Sequence, residues 1–420
     1  PTRLRGGVVH SILSVAAEDV LGLMLGRGSP DEGSEFSRPP RRVLICPDSF
    51  KGSLTAKEAA ESIARGIQQV LPQAAVELLP LADGGEGTLE MLLPALGGEK
   101  RGLWVSGPLG DPVWAEYGVV GERALLEVAQ VAGLTLVPPQ RRDPTRTTTY
   151  GLGELLRAVC RDPIAEIWIG LGGSATVDAG AGMAQALGYR LLDGAGDPIG
   201  WGGGELARLA RIEPPKQPVW LGKCIRGLCD VQNPLTGPLG AAAVFAPQKG
   251  ATPQQVRQLE QALQHWARVV ERDLGRTVDG IPGAGAAGGL GAGLVAFLGA
   301  TLESGIQLLA QHLALPERMR RCDLVVTGEG RLDEQSTMGK VVGAVLEQAS
   351  AAQKPLLILC GQATPAARAN LTARSLPIRV GALCDRIPDV TEAQRQASHH
   401  LEQMAACELK KFLAGDPAVI

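Results

Sequence analysis

Short β-rich runs that end in a glycine- or aspartate-bearing loop and then pass into an amphipathic helix recur along this sequence. That order constrains the fold more than any other feature, because it calls for parallel strands joined by crossover helices. Val43-Leu-Ile-Cys46 reads as the first strand and Pro47-Asp-Ser-Phe-Lys-Gly52 as its exit loop. Thr55, with Glu58 three residues on, forms a capping box for a helix ending near Val70. A second unit has a strand over 75–81, the loop Ala82-Asp-Gly-Gly-Glu-Gly87 and a helix over 88–96. Strands follow at 114–120 and 124–128, then a helix at 148–160, a strand at 166–171 and a helix at 179–187. In the second half, Asp323-Leu-Val-Val-Thr327 enters the loop Gly328-Glu-Gly-Arg-Leu-Asp333 ahead of a helix over 339–349. Strands at 355–360 and 378–383 and one long helix over 391–413 complete the pattern. The Pro- and Gly-rich stretch 196–218 reads as irregular loop.

A chain of 420 residues with 45% hydrophobic side chains buries a large core and divides into two domains by length alone. Its formal charge of -3 provides no basic field for nucleic acid, so a small molecule is the expected partner. Eight cysteines without a Cys-x-x-Cys spacing read as reduced thiols of a cytoplasmic protein. None of the five histidines lies in a glycine-rich cluster, which argues against a zinc site or a Ser-His-Asp triad. Residues 1–41 carry arginines around a weak apolar stretch that also holds His10, Glu18 and Asp19. They read as a poorly ordered extension, not as a membrane span or a signal peptide.

In a parallel sheet the residues just past the strands meet the ligand. Four such loops carry Asp48, Ser49 and Lys51; Asp83 and Glu86; Gly170 to Asp178; and Glu329, Arg331 and Asp333. Carboxylates with a lysine and an arginine at strand exits suit phosphoryl transfer, which must align anionic phosphates, a divalent cation and an acceptor hydroxyl. Gly172, Gly173, Ser174 and Thr176 form the best phosphate loop, with the start of the 179–187 helix expected nearby. No Gly-x-x-x-x-Gly-Lys-Ser/Thr run is present, so the chain is not a P-loop kinase. The Gly-x-Gly-x-x-Gly within 282–291 follows no clear strand and reads equally well as close packing through small residues.

Taken together, these stretches resemble the type I glycerate kinases. The likeness rests on Pro47 to Leu54, Ala82 to Thr88, Gly172 to Thr176 with Asp178, Cys229 to Leu235, Ala246-Pro-Gln-Lys-Gly250, Pro282 to Gly293, and Thr327 to Asp333 with Gly339 and Lys340, all in family order. Val177 departs from the pattern, which commonly has Asn there. The resemblance implies phosphorylation of glycerate by ATP with Mg2+, with the 2-position favoured. It also implies two α/β domains with the active site in their cleft: a flavodoxin-like domain from 42–112 and 286–420, and an inserted α/β domain over 113–285.

With no histidine in any motif, a carboxylate is expected as base, either Asp48 or Asp178, with Lys51 beside it. Asp83, Glu86 and Glu329 are the candidate magnesium ligands. Ser49, Arg331, Asp230 and Asn233 are placed on the substrate, and Gly172, Gly173, Ser174, Thr176, Gly328 and Lys340 on ATP. Each has a plainer reading: Asp48 and Asp83 as helix caps, Lys51 and Lys340 as solvated charges, Arg331 as a structural ion-pair partner, Asp230 and Asn233 as an Asx turn. A nucleotide-linked oxidoreductase of a small hydroxy acid is the alternative, with Gly170 and Gly172 as a dinucleotide turn and Asp193 on a ribose.

Overall fold

The computed structural model describes residues 38–50, 52–82, 87–334, 336, 340–372, 375–387 and 389–415. The expected extension over 1–41 therefore lies almost wholly outside the described residues. So do Lys51, Asp83, Glu86 and Gly339.

Thirteen strands are described, in three groups along the chain. First come β1 (Arg42–Ile45) and β2 (Ala75–Leu78). The middle of the chain supplies β3 (Glu99–Ser106), β4 (Pro112–Val120), β5 (Arg123–Glu127), β6 (Glu166–Gly170), β7 (Arg190–Leu192), β8 (Arg211–Glu213), β9 (Cys224–Leu228) and β10 (Thr301–Glu303). Last are β11 (Leu324–Leu332), β12 (Leu356–Ala363) and β13 (Ile378–Ala382).

The first and last groups share one parallel sheet, ordered β13-β12-β11-β1-β2. Strand β1 lies inside it and is apolar at every buried position, as a strand covered on both faces must be. Leu44 points into one core cluster, while Val43 and Ile45 point into another. The latter cluster is closed by helix α1 (Ala56–Val70) and the C-terminal helix Ala397–Leu413. Helix α1 begins where the sequence predicts, with Thr55 and Glu58 each capping the other's main chain.

The middle strands form a second sheet, ordered β10-β9-β6-β5-β4-β3, apart from the β7–β8 hairpin. Its β3-β4-β5 portion is antiparallel and its β5-β6-β9-β10 portion parallel. Alternation along β6 sends Ile167 and Ile169 into the large core of this sheet and Trp168 into the cluster that also holds Leu44 and Val325. Leu125 and Leu228 join Trp168 there, together with Leu89, Leu92 and Leu93 of helix α2 (Thr88–Leu96). One apolar cluster thus runs from the first sheet to the second.

Several differences from the sequence reading have local causes. Strand β11 does not stop at Thr327 but continues through Gly328 and Gly330 to Leu332, paired with β12 as far as Ala363. Glycine allows this: a Cβ on Gly328 would sit 2.0 Å from the Leu359 carbonyl oxygen of the neighbouring strand. The C-terminal helix is two helices that meet at Gln396. The stretch 196–218 is not wholly irregular, since it contains β8 and a 3-10 turn over 203–208. Strand β3 and the 22-residue helix Pro253–Leu274 were not foreseen, although Thr252 and Gln255 form a second capping box at the start of that helix.

The glycine-rich run near 288 proves to be a packing device. Ala287, Gly288 and Gly289 are all left-handed and break the segment Ala286–Gly293 in two. The bend seats Gly288 on the loop after β6, where a Cβ would fall 1.9 Å from the Thr176 carbonyl oxygen. Gly288→Ala is therefore expected to destabilise the protein by about 3 kcal/mol or more, since neither the backbone angle nor the space admits a methyl. Gly194→Ala, where nothing lies within 4 Å, should change stability by less than ~0.5 kcal/mol. Urea denaturation of both variants checks the contrast.

Candidate active site

Main-chain pairing continues past β1 and builds the first half of the site. The Asp48 N–H donates to the Gly328 carbonyl (2.8 Å), which sets Asp48 beside Glu329. Both side chains are nearly buried, with 7% and 8% exposure. The Asp48 carboxylate accepts the Ser49 N–H at 2.6 Å. Glu329 Oε1 is buried with no hydrogen-bond partner among the described residues. Burial pushes the Glu329 carboxyl up to about 7; the Ser336 hydroxyl and Lys340 oppose the rise, and Asp48 and Asp333 add to it. Around Glu329, then, stand Asp48, Asp333, Ser336 and Lys340.

The chain turns after β11 through a reciprocal pair. The Asp333 N–H donates to Ser336 Oγ (3.0 Å) and the Ser336 N–H to Asp333 Oδ1 (3.1 Å). Arg331 is exposed at the end of β11, and Lys340 is half-buried at the start of helix Val341–Ala351. Of the residues expected at this end, the structure brings together Asp48, Ser49, Gly328, Glu329 and Lys340.

The exit of β6 is built differently from the expectation. Asp178 is fully buried and accepts the Thr149 N–H (2.9 Å), the Thr149 hydroxyl (2.8 Å) and the N–H groups of Gly180 and Gly182 (both 3.3 Å). Burial raises its pKa, while these donors pull it down. The helix expected over 179–187 is only Ala181–Ala186, and Asp178 itself occupies its N-terminal donors. No anion is needed there. Gly173 is exposed and left-handed, Gly172 is half-buried, and Ser174 and Thr176 are buried beneath them.

Two side chains that the sequence reading did not single out shape this end of the second sheet. Lys249, only 3% exposed, donates to Ser174 Oγ (2.8 Å) and to the Thr176 carbonyl (2.7 Å). Burial depresses it to about 7, against the pull of Asp178. It lies in the run Ala246 to Gly250, whose quoted motif was the available signal. Glu127, the last residue of β5, is buried and accepts the Leu89 N–H at 2.7 Å in the first turn of α2. A single acid closing an apolar strand carried no such signal.

Asp230 and Asn233 follow the plainer reading in their visible bonds. Asp230 accepts the Ser304 hydroxyl (2.6 Å) and the Ile306 N–H, at the start of helix Gly305–His312. Asn233 donates to the Leu239 carbonyl at 2.8 Å and so ties its own loop.

Carboxylates and a half-buried lysine gathered at parallel strand exits suit an α/β enzyme of the small-molecule kinase class. The comparisons are more particular. The family model described as the glycerate kinase family matches residues 43–412. A glycerate kinase of Halalkalibacterium halodurans is 46% identical over 366 residues, 86% of this chain and 96% of that protein. The glycerate 2-kinase of Escherichia coli K12 is 46% identical over 326 residues, 77% of this chain and 86% of its own. A crystal structure from Salmonella typhimurium LT2, of a protein assigned as glycerate kinase 2, superposes with a TM-score of 0.71 at 42% identity, covering 88% of this chain and 97% of that one. The chain belongs to the glycerate kinase family.

Membership sets aside the oxidoreductase alternative, and the geometry agrees. Asp193 accepts the N–H groups of Ala195 and Asp197 and pairs with Arg208, so its carboxylate is engaged within a turn and not offered to a ribose.

Lys249 provides a test of this geometry through stability. A lysine depressed to about 7 is neutral in the folded protein at pH values where the unfolded chain still binds a proton. Unfolding therefore takes up a proton between about pH 7 and the ordinary lysine range, and stability rises with pH across that window. The stability of the parent protein relative to Lys249→Met should climb from about pH 7 to about pH 9 and stay level below about pH 6. Urea titrations at these pH values read it directly.

Proposed function

We propose that this protein phosphorylates glycerate with ATP at the 2-hydroxyl, releasing 2-phosphoglycerate and ADP. The observation that carries the reading is the buried pair Asp48 and Glu329, held at adjoining strand exits with one Glu329 oxygen unpartnered among the described residues. The E. coli relative named glycerate 2-kinase supports the position of transfer.

A magnesium ion fits this pair. Two buried carboxylates facing one another repel, and a hard cation with oxygen ligands offsets that repulsion. Glu329 would hold it, with Asp83 and Glu86 proposed alongside. Such an ion takes oxygen ligands from a few protein carboxylates together with phosphates and water. When bound, it neutralises charge on the transferring phosphates.

Asp48 takes the role of base toward the glycerate hydroxyl. Asp178, with its oxygens engaged by four donors, is a scaffold residue. Lys51 and the exposed Arg331 are proposed to clamp anionic oxygens of glycerate or of the phosphoryl group, with Ser49 close by. The Gly172–Gly173 turn, backed by Ser174 and Thr176, is proposed for ATP phosphates together with Gly328 and Lys340.

The two sheets support a reading as two domains, with the crossings near residues 98 and 304 instead of 112 and 286. The reason is that β3 and β10 pair within the second sheet. Unpaired cysteines support a cytoplasmic setting. No helix among the described residues is long and apolar enough to cross a membrane.

Incubation with ATP, magnesium and D-glycerate should release ADP, and enolase should consume the product without added phosphoglycerate mutase. A product seen only with mutase would move the transfer to the 3-hydroxyl; no ADP release would sink the kinase reading. Asp48→Asn is expected to lower kcat by about 10²-fold or more with ATP binding little changed. Glu329→Gln should instead raise the magnesium concentration needed for half-maximal rate, measured at saturating ATP and glycerate.

A further inference from the structure

Directly under the Gly172–Gly173 turn sits a cation that the mechanism above does not use. Lys249 closes the 3-10 turn Pro247–Lys249 that follows helix Ala241–Phe245, and its Nζ donates to both Ser174 Oγ and the Thr176 carbonyl. It therefore fixes the two residues that follow the exposed glycines. The neighbouring Thr176 hydroxyl is buried and has no hydrogen-bond partner among the described residues. A cation and an orphaned hydroxyl buried beneath a glycine turn are groups that an anionic oxygen at that turn would complete.

The charges around Lys249 are few. From the β6 loop only Asp178 acts on it, and that carboxylate already accepts from Thr149, Gly180 and Gly182. From the segment packed on Gly250, Arg142 donates to the Val137 carbonyl, while Asp143 accepts from Thr145 and from Gln255 of helix Pro253–Leu274. Among the described residues no second charge is thus aimed at the ammonium, and its burial leaves it depressed to about 7. An arriving anion supplies the missing charge and favours the protonated form.

We propose that Lys249 is a positioning residue which holds the 172–176 loop for an anionic oxygen of the bound substrates and takes up a proton when that oxygen arrives. The proposal rests on the kinase reading above. The oxygen belongs either to an ATP phosphate or to the glycerate carboxylate, and separate titrations tell these apart.

The experiment is isothermal titration calorimetry near pH 8 in two buffers of different ionisation enthalpy. D-glycerate is one probe and magnesium with the β,γ-imido analogue of ATP is the other. For the probe whose anion meets the loop, the intact protein should show net proton uptake that disappears below about pH 6, where Lys249 is already charged. Lys249→Met should lose the uptake and raise KM for that substrate roughly tenfold or more, with a smaller effect on kcat. Should that variant not fold, Ser174→Ala keeps the test open: with one acceptor gone, the uptake should persist but move to lower pH. Binding of both probes by the intact protein with equal heats in the two buffers overturns the proposal, as does uptake that survives in Lys249→Met. Absence of ADP release by the intact protein would instead count against the kinase reading, since the binding heats are read independently of turnover.

Discussion

The parallel pairing of β1 with β11 is the interaction on which the rest depends. It joins Val43–Ile45 to Leu324–Val326, and the Thr327 hydroxyl donates to the Cys46 carbonyl across 281 residues of sequence. Everything between, including the whole second sheet, is inserted between two strands that lie side by side. Because pairing continues to the Asp48 N–H and the Gly328 carbonyl, the register of the sheet also fixes the distance between the two site carboxylates. A slip of one residue would turn Glu329 to the other face. The site therefore cannot form before this long-range contact does, which places its assembly late in folding.

The second half of the site depends on buried polar contacts more than on sheet register. Asp178 gathers donors from Thr149, Gly180 and Gly182, and Lys249 reaches the same loop from the opposite side. Small residues make the approach possible. A Cβ on Gly182 would lie 2.1 Å from Thr148 Oγ1, and one on Gly293 would lie 2.3 Å from the Ala179 carbonyl. The glycine-rich runs near 180 and 288 thus serve mainly to let backbone meet backbone, so that main-chain groups of a largely buried loop are answered. Only the Gly172–Gly173 tip remains open to a ligand.

Legibility in the sequence followed the range of the interaction. Local signals were sufficient for α1, α2, β1 and β6, where capping residues and apolar runs decide the element within a few residues. The placement of Asp48 and Glu329 at one sheet edge was legible for a related reason, because parallel strands deliver their exit residues to one edge. Signals that needed a partner elsewhere were lost. Strand β3 carries Glu99, Lys100 and Arg101 and reads as polar surface until β4 is known to pair with it. Gly328 and Gly330 read as loop because the closeness of β12 is invisible from their own neighbours. Asp178 read as a possible base because nothing local shows that Thr149 lies against it, and Lys249 passed unnoticed since lysine is ordinarily exposed.

The two halves solve opposite electrostatic problems, and that contrast organises the chemistry. At the first sheet Glu329 is buried next to Asp48, and burial first, with Asp48 adding to it, pushes its carboxyl up while one oxygen finds no partner among the described residues. At the second, a lysine is buried with only an already engaged carboxylate near it, which pushes Lys249 down. Each environment disfavours the charge it holds, so the substrate-free protein carries a stability cost at both places. On the proposed reading, a magnesium nucleotide would bring what each lacks: a cation for the acidic half and anionic oxygens for the basic half. On that reading, binding such a complex would relieve both costs together, whereas a bare anion or a bare cation would relieve only one. A site built this way would favour the metal-bound form of its phosphate donor through differential affinity.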